Sequence, residues 1–509
     1  MSVEIPYRFN IAHYFLTARI EEGQAERVAL RIGERTLSYA EVEALACRFA
    51  QALKDHGLRG EERVIIALSD GAEFVGAFFG ILKLGAVVVM INPGLDPEAL
   101  VAMFDYTRAR LVIVDQGATE SFSEARERSE CRPQLLSMSE SELPQDDADR
   151  GFAAAPTHRD DPAIWLFSGG TTGLPKAVVQ THRSFANTTE LYAKAALAYG
   201  PDDITLSVPK LYFGYATGSN LLFPFAVGAS AVLFPEHPTA ELLFEQIERH
   251  RPTILVNVPT MINKMVNHPD AADRDLSSLR FATSAGEALP APLYRRWKEL
   301  FGVELLDGLG TAEMWHIFVS NRPGHVKPGT LGQPVDGFEV KVADDEGNER
   351  RRGEIGKLWV RGDSRAIGYW QNIDKTSEAF RGGWFVGGDL VEQDDEGYIT
   401  YCGRGDDVLK VGGKWLLPQE VESCLAGHPA VDECAVIGIE SDEGLTKPVA
   451  FVTLKPGQAA SEEDLKQHVL DRLDPYKHPR RVVLVDDMPR THLGKIDRGR
   501  LKSGVDLDS

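Results

Sequence analysis

Nine consecutive residues, Ser168-Gly169-Gly170-Thr171-Thr172-Gly173-Leu174-Pro175-Lys176, combine glycines, hydroxyls and one ammonium in a single loop. Glycines let backbone N–H groups approach an anion closely, hydroxyls add neutral donors, and the lysine adds charge, which together make a cradle suited to a polyphosphate. The apolar run 163–167 leads in like a buried strand and a helical pattern begins at Ser184, so the loop is expected where the chain turns between packed elements. A common nucleotide-triphosphatase loop needs Gly-Lys-Ser/Thr opening a helix. Here Pro175 precedes Lys176 and Ala177 follows it, leaving no hydroxyl for magnesium, which argues against a GTPase-type site.

Four further groups carry chemistry. Ser284-Ala285-Gly286-Glu287 follows an apolar run, and small residues there let the flat face of a base pack against backbone. In Asp307-Gly308-Leu309-Gly310-Thr311-Ala312-Glu313, the last carboxylate is either a magnesium ligand, since one carboxylate plus substrate phosphates usually holds that ion, or a surface glutamate opening a helix. Asp389 can take two donors at once or be a solvated turn residue. Near the C-terminus, Lys495 ends the run Pro489-Arg490-Thr491-His492-Leu493-Gly494, where a lone lysine is ordinarily a solvated charge and a movable ammonium could otherwise meet charge building on an oxygen. No arrangement supports Ser-His-Asp or Cys-His nucleophilic catalysis.

These motifs resemble the signatures of the adenylate-forming superfamily, which includes acyl- and aryl-CoA ligases, luciferases and the adenylation domains of peptide synthetases. The likeness spans nearly the whole chain and is nearest to the benzoate-CoA and 2-aminobenzoate-CoA ligase branch. It implies that Ser168, Gly169, Gly170, Thr171, Thr172, Gly173 and Lys176 hold the phosphates of ATP, with Thr171, Lys176, Glu313 and Lys495 catalytic and Glu313 on Mg2+. It implies that Ala285, Gly286 and Glu287 flank adenine, that Asp307, Gly308, Leu309, Gly310 and Thr311 form the second nucleotide motif, and that Asp389 meets the ribose with Arg404 beside it. Asp406 would be the hinge, with Lys410, Gly412 and Gly413 presented to a pantetheine channel. Gly214, Tyr215, Phe223, Gly310, His316 and Ile317 fall at positions that contact an aromatic acid in that branch, unless they simply pack a core. His316 would either hydrogen-bond the acid's carboxylate or an ortho amino or hydroxy group, or be a satisfied structural histidine. The chain departs from the commonest family pattern at Leu309, Ala312 and Gly387. The activity implied is ATP-dependent conversion of an aryl acid to an acyl-adenylate and then to its coenzyme A thioester; the alternative is an adenylating enzyme that loads the pantetheine of a carrier protein.

The elements that must position these residues alternate along the chain. Apolar runs at 63–68, 86–91 and 109–115, with a helical pattern at 72–84, imply a parallel doubly wound sheet. The alternation resumes through 231–234, 240–250, 253–256 and 279–282, implying a second such sheet. Ahead of them, 29–39 reads as a hairpin turning at Gly33, with Ser38 capping a helix that runs to about His56. Residues 116–161 read as an exposed connection. Past Gly337, short alternating segments suggest a small β subdomain, and the chain then divides into a large N-terminal domain, 1–405, and a small mobile α+β domain, 406–509. The fold class is thus α/β plus α+β.

Composition limits the partners. With 509 residues and 43% hydrophobic content, the chain has material for more than one core. Its 55 basic and 76 acidic side chains give a net charge of −21, which argues against nucleic acid and anionic membrane surfaces as partners. An anionic nucleotide must therefore be held by local donors. The five cysteines show neither CxxC spacing nor an even count, and no apolar segment approaches the ~20 residues that span a bilayer, so a cytoplasmic monomer or homodimer is expected.

Overall fold

Two large β-sheets carry the strand ends on which the candidate residues sit. The computed structural model describes residues 3–143, 151–168, 176–411, 414–440, 446–455, 457–490 and 496–503. One sheet has seven strands, in the order Gly368–Tyr369, Lys176–Thr181, Pro162–Ser168, Val87–Met90, Arg63–Ala67, Leu111–Val114 and Gln134–Leu136. Its last five strands run parallel to one another. Such a sheet needs cover on both faces. The helices Tyr39–Asp55 and Ala72–Lys83 supply part of it, burying Phe49, Phe74, Phe78 and Phe79 completely.

The second sheet has nine strands, in the order Gln333–Pro334, Ile317–Ser320, Glu304–Gly310, Phe281–Ser284, Ile254–Asn257, Ile204–Ser207, Ser230–Leu233, Val28–Ile32 and Arg35–Ser38. Its centre is parallel and both edges are antiparallel. The N-terminal hairpin turns at Gly33 (φ 58°) and closes one edge. Ser38 then starts the helix Tyr39–Asp55 with a reciprocal capping box, its hydroxyl accepting from Glu41 N while the Glu41 carboxylate accepts from Ser38 N. The helix Ala240–His250 has its expected bounds, set by the Thr239 cap and by Arg251 in the left-handed region (φ 51°).

A small five-stranded antiparallel sheet follows, built from Glu339–Ala343, Gly356–Arg361, Phe380–Arg381, Trp384–Gln393 and Ile399–Arg404. After it come the hairpin Leu409–Val411/Lys414–Leu416 and the three-stranded sheet Val431–Glu440, Thr446–Leu454 and Arg481–Leu484, covered by the helices Pro418–Ala426 and Glu462–Leu470. These surround a separate apolar cluster that includes Leu416, Val421, Leu425, Val436 and Val452.

Two expectations are corrected. The nine-residue loop does not lead from strand to helix. The chain returns as the strand Lys176–Thr181, antiparallel to Pro162–Ser168, and only then enters the helix His182–Thr188. The apolar stretch Ala177-Val178-Val179 buries itself by pairing with the incoming strand. Residues 116–161 are more than a connection. They contain the helix Thr119–Arg128, which buries Phe122 and Ala125, and the edge strand Gln134–Leu136, too short and too polar to show a period.

His182 opens its helix completely buried, its Nδ1 accepting from Ile11 N at 3.2 Å. Burial pushes its pKa down to about 3, below the ~6.5 of an exposed imidazole. Because the folded value is depressed, the stability gained by keeping the ring neutral is complete above pH 6.5 and is lost as pH falls toward 3. Replacing the ring should flatten that dependence. Between pH 7 and 5 the urea midpoint of the wild type is expected to fall more steeply than that of His182→Gln, by a difference of about 2 kcal/mol from this group. Equal slopes would show that the imidazole is already charged, or solvated, in the folded protein.

Candidate active site

The strand pair Pro162–Ser168/Lys176–Thr181 closes with Ser168 opposite Lys176, so the loop leaves and re-enters the sheet at adjacent points. Its residues Gly169, Gly170, Thr171, Thr172 and Gly173 lie outside the described residues, as do Gly412, Gly413 and Lys495. Ser168 Oγ is buried with no hydrogen-bond partner among the described residues, an unspent donor at the mouth of the loop. Opposite it, the Lys176 ammonium sits over the ring of Tyr369, 4.7 Å from the centroid.

The second motif comes from the other sheet. The strand Glu304–Gly310 runs out at Thr311, whose hydroxyl accepts from Met314 N and caps the single turn Ala312–Met314. Three bonds tie this turn to the strand pair's side of the cleft. Gln180 Nε2 donates to the Ala312 carbonyl at 2.6 Å, Ala366 N donates to the Glu313 carbonyl at 2.8 Å, and the Tyr369 hydroxyl donates to Glu313 Oε1 at 2.8 Å. Glu313 is 6% exposed and has no ion-pair partner among the described residues. An uncompensated buried carboxylate is costly, and a cation beside it would relieve that cost, so the residues present fit a bound magnesium ion.

Beyond the turn, Trp315 adopts φ 69° and ψ −55°, with His316 N bonded to the Met314 carbonyl at 3.0 Å. This is a γ-turn, a strained geometry for a tryptophan. It swings His316 and Ile317 to the wall of a cavity of about 200 Å³. The cavity is also walled by Gly214, Tyr215, Ala285, Gly286, Gly310, Thr311 and Ala312. Two glycines are required by close approach. A Cβ on Gly310 would lie 2.5 Å from the His316 carbonyl, and one on Gly218 would lie 2.4 Å from the imidazole.

His316 is 4% exposed, and burial pushes its pKa down to about 4. Its Nε2 lies 3.1 Å from the Tyr215 carbonyl, which can only accept, so Nε2 carries the proton; the Ser219 hydroxyl is 3.2 Å away. Nδ1 is then an acceptor, buried without a partner among the described residues. No N–H remains for a substrate carboxylate, whereas the unpartnered Nδ1 on the cavity wall can accept from an ortho amino or hydroxy group. Phe223 is fully buried and does not reach the cavity; its ring packs against the imidazole at 4.7 Å, one layer behind. The wall contributed by Met90, Asn92, Leu95, Met103, Leu166 and Phe167 went unrecognised in the sequence, because these residues belong to strands, a helix and the connection before it that look like ordinary scaffold.

The nucleotide residues divide between two places. Ala285 and Gly286 line the first cavity, whereas the Glu287 carboxylate turns away and accepts from Thr260 N at 3.2 Å and Thr260 Oγ1 at 2.7 Å. Thr260 lies in the first turn of the helix Pro259–Val266, so the Glu287 carboxylate caps a helix N-terminus. Asp307 borders a second cavity of about 260 Å³ together with Leu331, Tyr401, Gln419 and Ser423. Burial pushes the Asp307 carboxyl up to about 8, and its Oδ1 has no partner among the described residues. Gly308 and Leu309 remain in the strand, opposite Ser320 and Val319. Asp389 and Arg404 face each other across an antiparallel pair, with Nη1 3.5 Å from Oδ1.

Asp406 lies in the single turn Gly405–Asp407 between the last strand of the small sheet and the C-terminal hairpin. Lys410 is exposed on that hairpin, 5.6 Å from the Trp415 ring, and reaches neither cavity. Gln419 and Ser423 lie on the helix Pro418–Ala426, so the second cavity opens between the large domain and the C-terminal one. Asn263 also bridges the two, donating to Asp432 Oδ1 at 2.7 Å. No helix among the described residues is long and apolar enough to cross a membrane.

Comparison with known proteins agrees with this geometry. Residues 17–370 match the family model described as AMP-binding enzyme, and residues 420–495 match its C-terminal domain. A benzoate–CoA ligase of Thauera aromatica is 40% identical over 99% of this chain and 97% of its own length. Two solved structures superpose closely: an anthranilate CoA ligase in complex with anthranoyl-AMP, with a TM-score of 0.93 at 39% identity over 99% of this chain and 98% of that one, and a benzoate CoA ligase from Burkholderia xenovorans LB400, with 0.89 at 39% over 97% and 100%. The match runs along nearly the full length of these relatives, and the chain belongs to the AMP-binding enzyme family.

Proposed function

We propose that this protein is an AMP-forming aryl-acid:coenzyme A ligase acting on a small benzoate- or anthranilate-like acid. The observation that carries the reading is the first cavity. Its walls are aromatic and aliphatic, and it adjoins the Gly286, Thr311 and Ala312 backbone of the nucleotide motifs. A cavity of roughly 150 Å³ accommodates benzene. About 200 Å³ therefore leaves room for one ring with its carboxyl and a small substituent, and none for a long acyl chain.

In the first half-reaction a carboxylate oxygen of the acid bonds to the α-phosphorus of ATP and pyrophosphate leaves. On this reading Ser168, Lys176 and the loop between them meet the phosphates, Asp389 accepts from the ribose hydroxyls beside Arg404, and Asp307 belongs to the second nucleotide motif. Magnesium, when bound, would be held at Glu313 and would neutralise phosphate charge. In the second half-reaction the thiol of coenzyme A attacks the acyl carbon and AMP leaves. One cleft serves both steps if the unit 406–509 swivels about Asp406, withdrawing Lys495 and bringing Lys410, Gly412 and Gly413 to the thiol channel.

Four outcomes test this. In a pyrophosphate-release screen, benzoate and 2-aminobenzoate should exceed medium-chain fatty acids by at least ten-fold in kcat/KM, and fatty acids winning would overturn the cavity assignment. With His316 neutral far above its depressed pKa of about 4, the KM for the aryl acid should stay flat from pH 6 to 8, whereas a break near 6.5 would mean a solvated imidazole. Lys495→Ala should lower adenylation by ~10²–10³ while leaving ATP affinity within a few-fold. Asp406→Pro should keep pyrophosphate release and slow thioester formation, and equal loss of both steps would refute the swivel.

A further inference from the structure

Tyr369 is absent from every motif recognised in the sequence, yet it touches two of them. It sits in the short strand Gly368–Tyr369, paired antiparallel with Lys176–Thr181 at the edge of the seven-stranded sheet, Tyr369 opposite Val178. Its backbone is fixed on both sides. Tyr369 N donates to Thr376 Oγ1 at 3.0 Å, Ile367 N to the Val179 carbonyl at 3.0 Å, and Trp370 N to the Ala177 carbonyl at 2.9 Å. Tyr106 adds a further clamp, donating its hydroxyl to the Trp370 carbonyl at 2.9 Å while accepting from Ala177 N at 3.2 Å.

From this fixed backbone the side chain, 8% exposed, reaches across the cleft between the two sheets. The hydroxyl donates to Glu313 Oε1, 56 residues away in sequence, and the ring face receives the Lys176 ammonium. Among the described residues no donor reaches Oε2 of the same carboxylate. A hydrogen-bond donor on one oxygen of a ligating carboxylate fixes which oxygen is presented to a cation and in what direction. The aromatic face meanwhile holds the ammonium by a cation–π contact, which phosphates can displace without breaking a tight ion pair.

We infer that Tyr369 is a positioning residue for the adenylation step: its hydroxyl orients Glu313 toward a divalent cation, and its ring stations Lys176 for the triphosphate. This rests on the AMP-forming reading above and assigns to one side chain the coupling between the phosphate loop and the second nucleotide motif. The two contacts separate by substitution, since Tyr369→Phe removes the hydroxyl and keeps the ring, whereas Tyr369→Leu removes both.

The test is equilibrium ATP binding by calorimetry on the full chain, with Mg2+ titrated and with EDTA, beside pyrophosphate release. For Tyr369→Phe the Mg2+ concentration giving half-maximal enhancement of ATP affinity should rise roughly ten-fold, with ATP affinity in EDTA and the KM for aryl acid unchanged. For Tyr369→Leu ATP affinity in EDTA should also fall, as Lys176 loses its station. Thermal melting of the ligand-free variants within a few degrees of wild type excludes simple unfolding. An unchanged Mg2+ titration for Tyr369→Phe, or equal losses with and without metal, overturns the proposal. Failure of every aryl acid to release pyrophosphate from the wild type would instead sink the substrate reading, while the calorimetric comparison would still decide the role of Tyr369.

Discussion

Everything at this site depends on a fixed distance between strand ends that belong to different sheets. The strand pair Pro162–Ser168/Lys176–Thr181 belongs to the seven-stranded sheet, and the Glu313 turn extends the nine-stranded one. Nothing within either sheet sets the gap between them. The Gln180 amide does so by donating to the Ala312 carbonyl at 2.6 Å, and Ala366 N repeats the fastening at the Glu313 carbonyl. Gln180 is fully buried, and a buried amide that lost its acceptor would carry a desolvation penalty of about 1–3 kcal/mol. The two sheets therefore have one well-paired separation.

That separation makes the electrostatics of the cleft work against the charge of the whole chain. At −21 the protein repels an anionic nucleotide at long range, so binding must come from groups desolvated at close quarters. The cleft supplies them sparingly: the Lys176 ammonium parked on an aromatic face, the unspent Ser168 hydroxyl, and acids held in low dielectric. Burial pushes the Asp307 carboxyl up, and Glu313 is buried with no ion-pair partner among the described residues. Groups arranged this way are improved by a ligand bearing a donor or a cation, which is how a folded chain stores binding energy for its substrates.

Much of this was readable from local pattern. The hairpin at Gly33, the Ser38 cap, the helix Ala240–His250 and the alternation of apolar runs follow from rules that act within a dozen residues, and the structure follows them. The misreadings share a cause. The return strand Lys176–Thr181 was passed over because its pairing partner, not its composition, makes it a strand. Glu287 looked like part of a nucleotide loop alone, and its carboxylate also caps the N-terminus of a neighbouring helix. Phe223 matched an aromatic-pocket position, yet His316 lies between it and the cavity.

The sequence by itself determined the fold class and the family, because turn chemistry, hydrophobic period and contiguous motifs are local and survive without knowledge of partners. Tertiary structure alone decided which of those residues share a cavity, that Met90, Leu166 and Phe167 help wall it, which nitrogen of His316 carries a proton, and that Tyr369 joins Lys176 to Glu313. These are matters of distance between segments far apart in the chain. They are set by the packing of one sheet against another, and no short-range pattern encodes that packing.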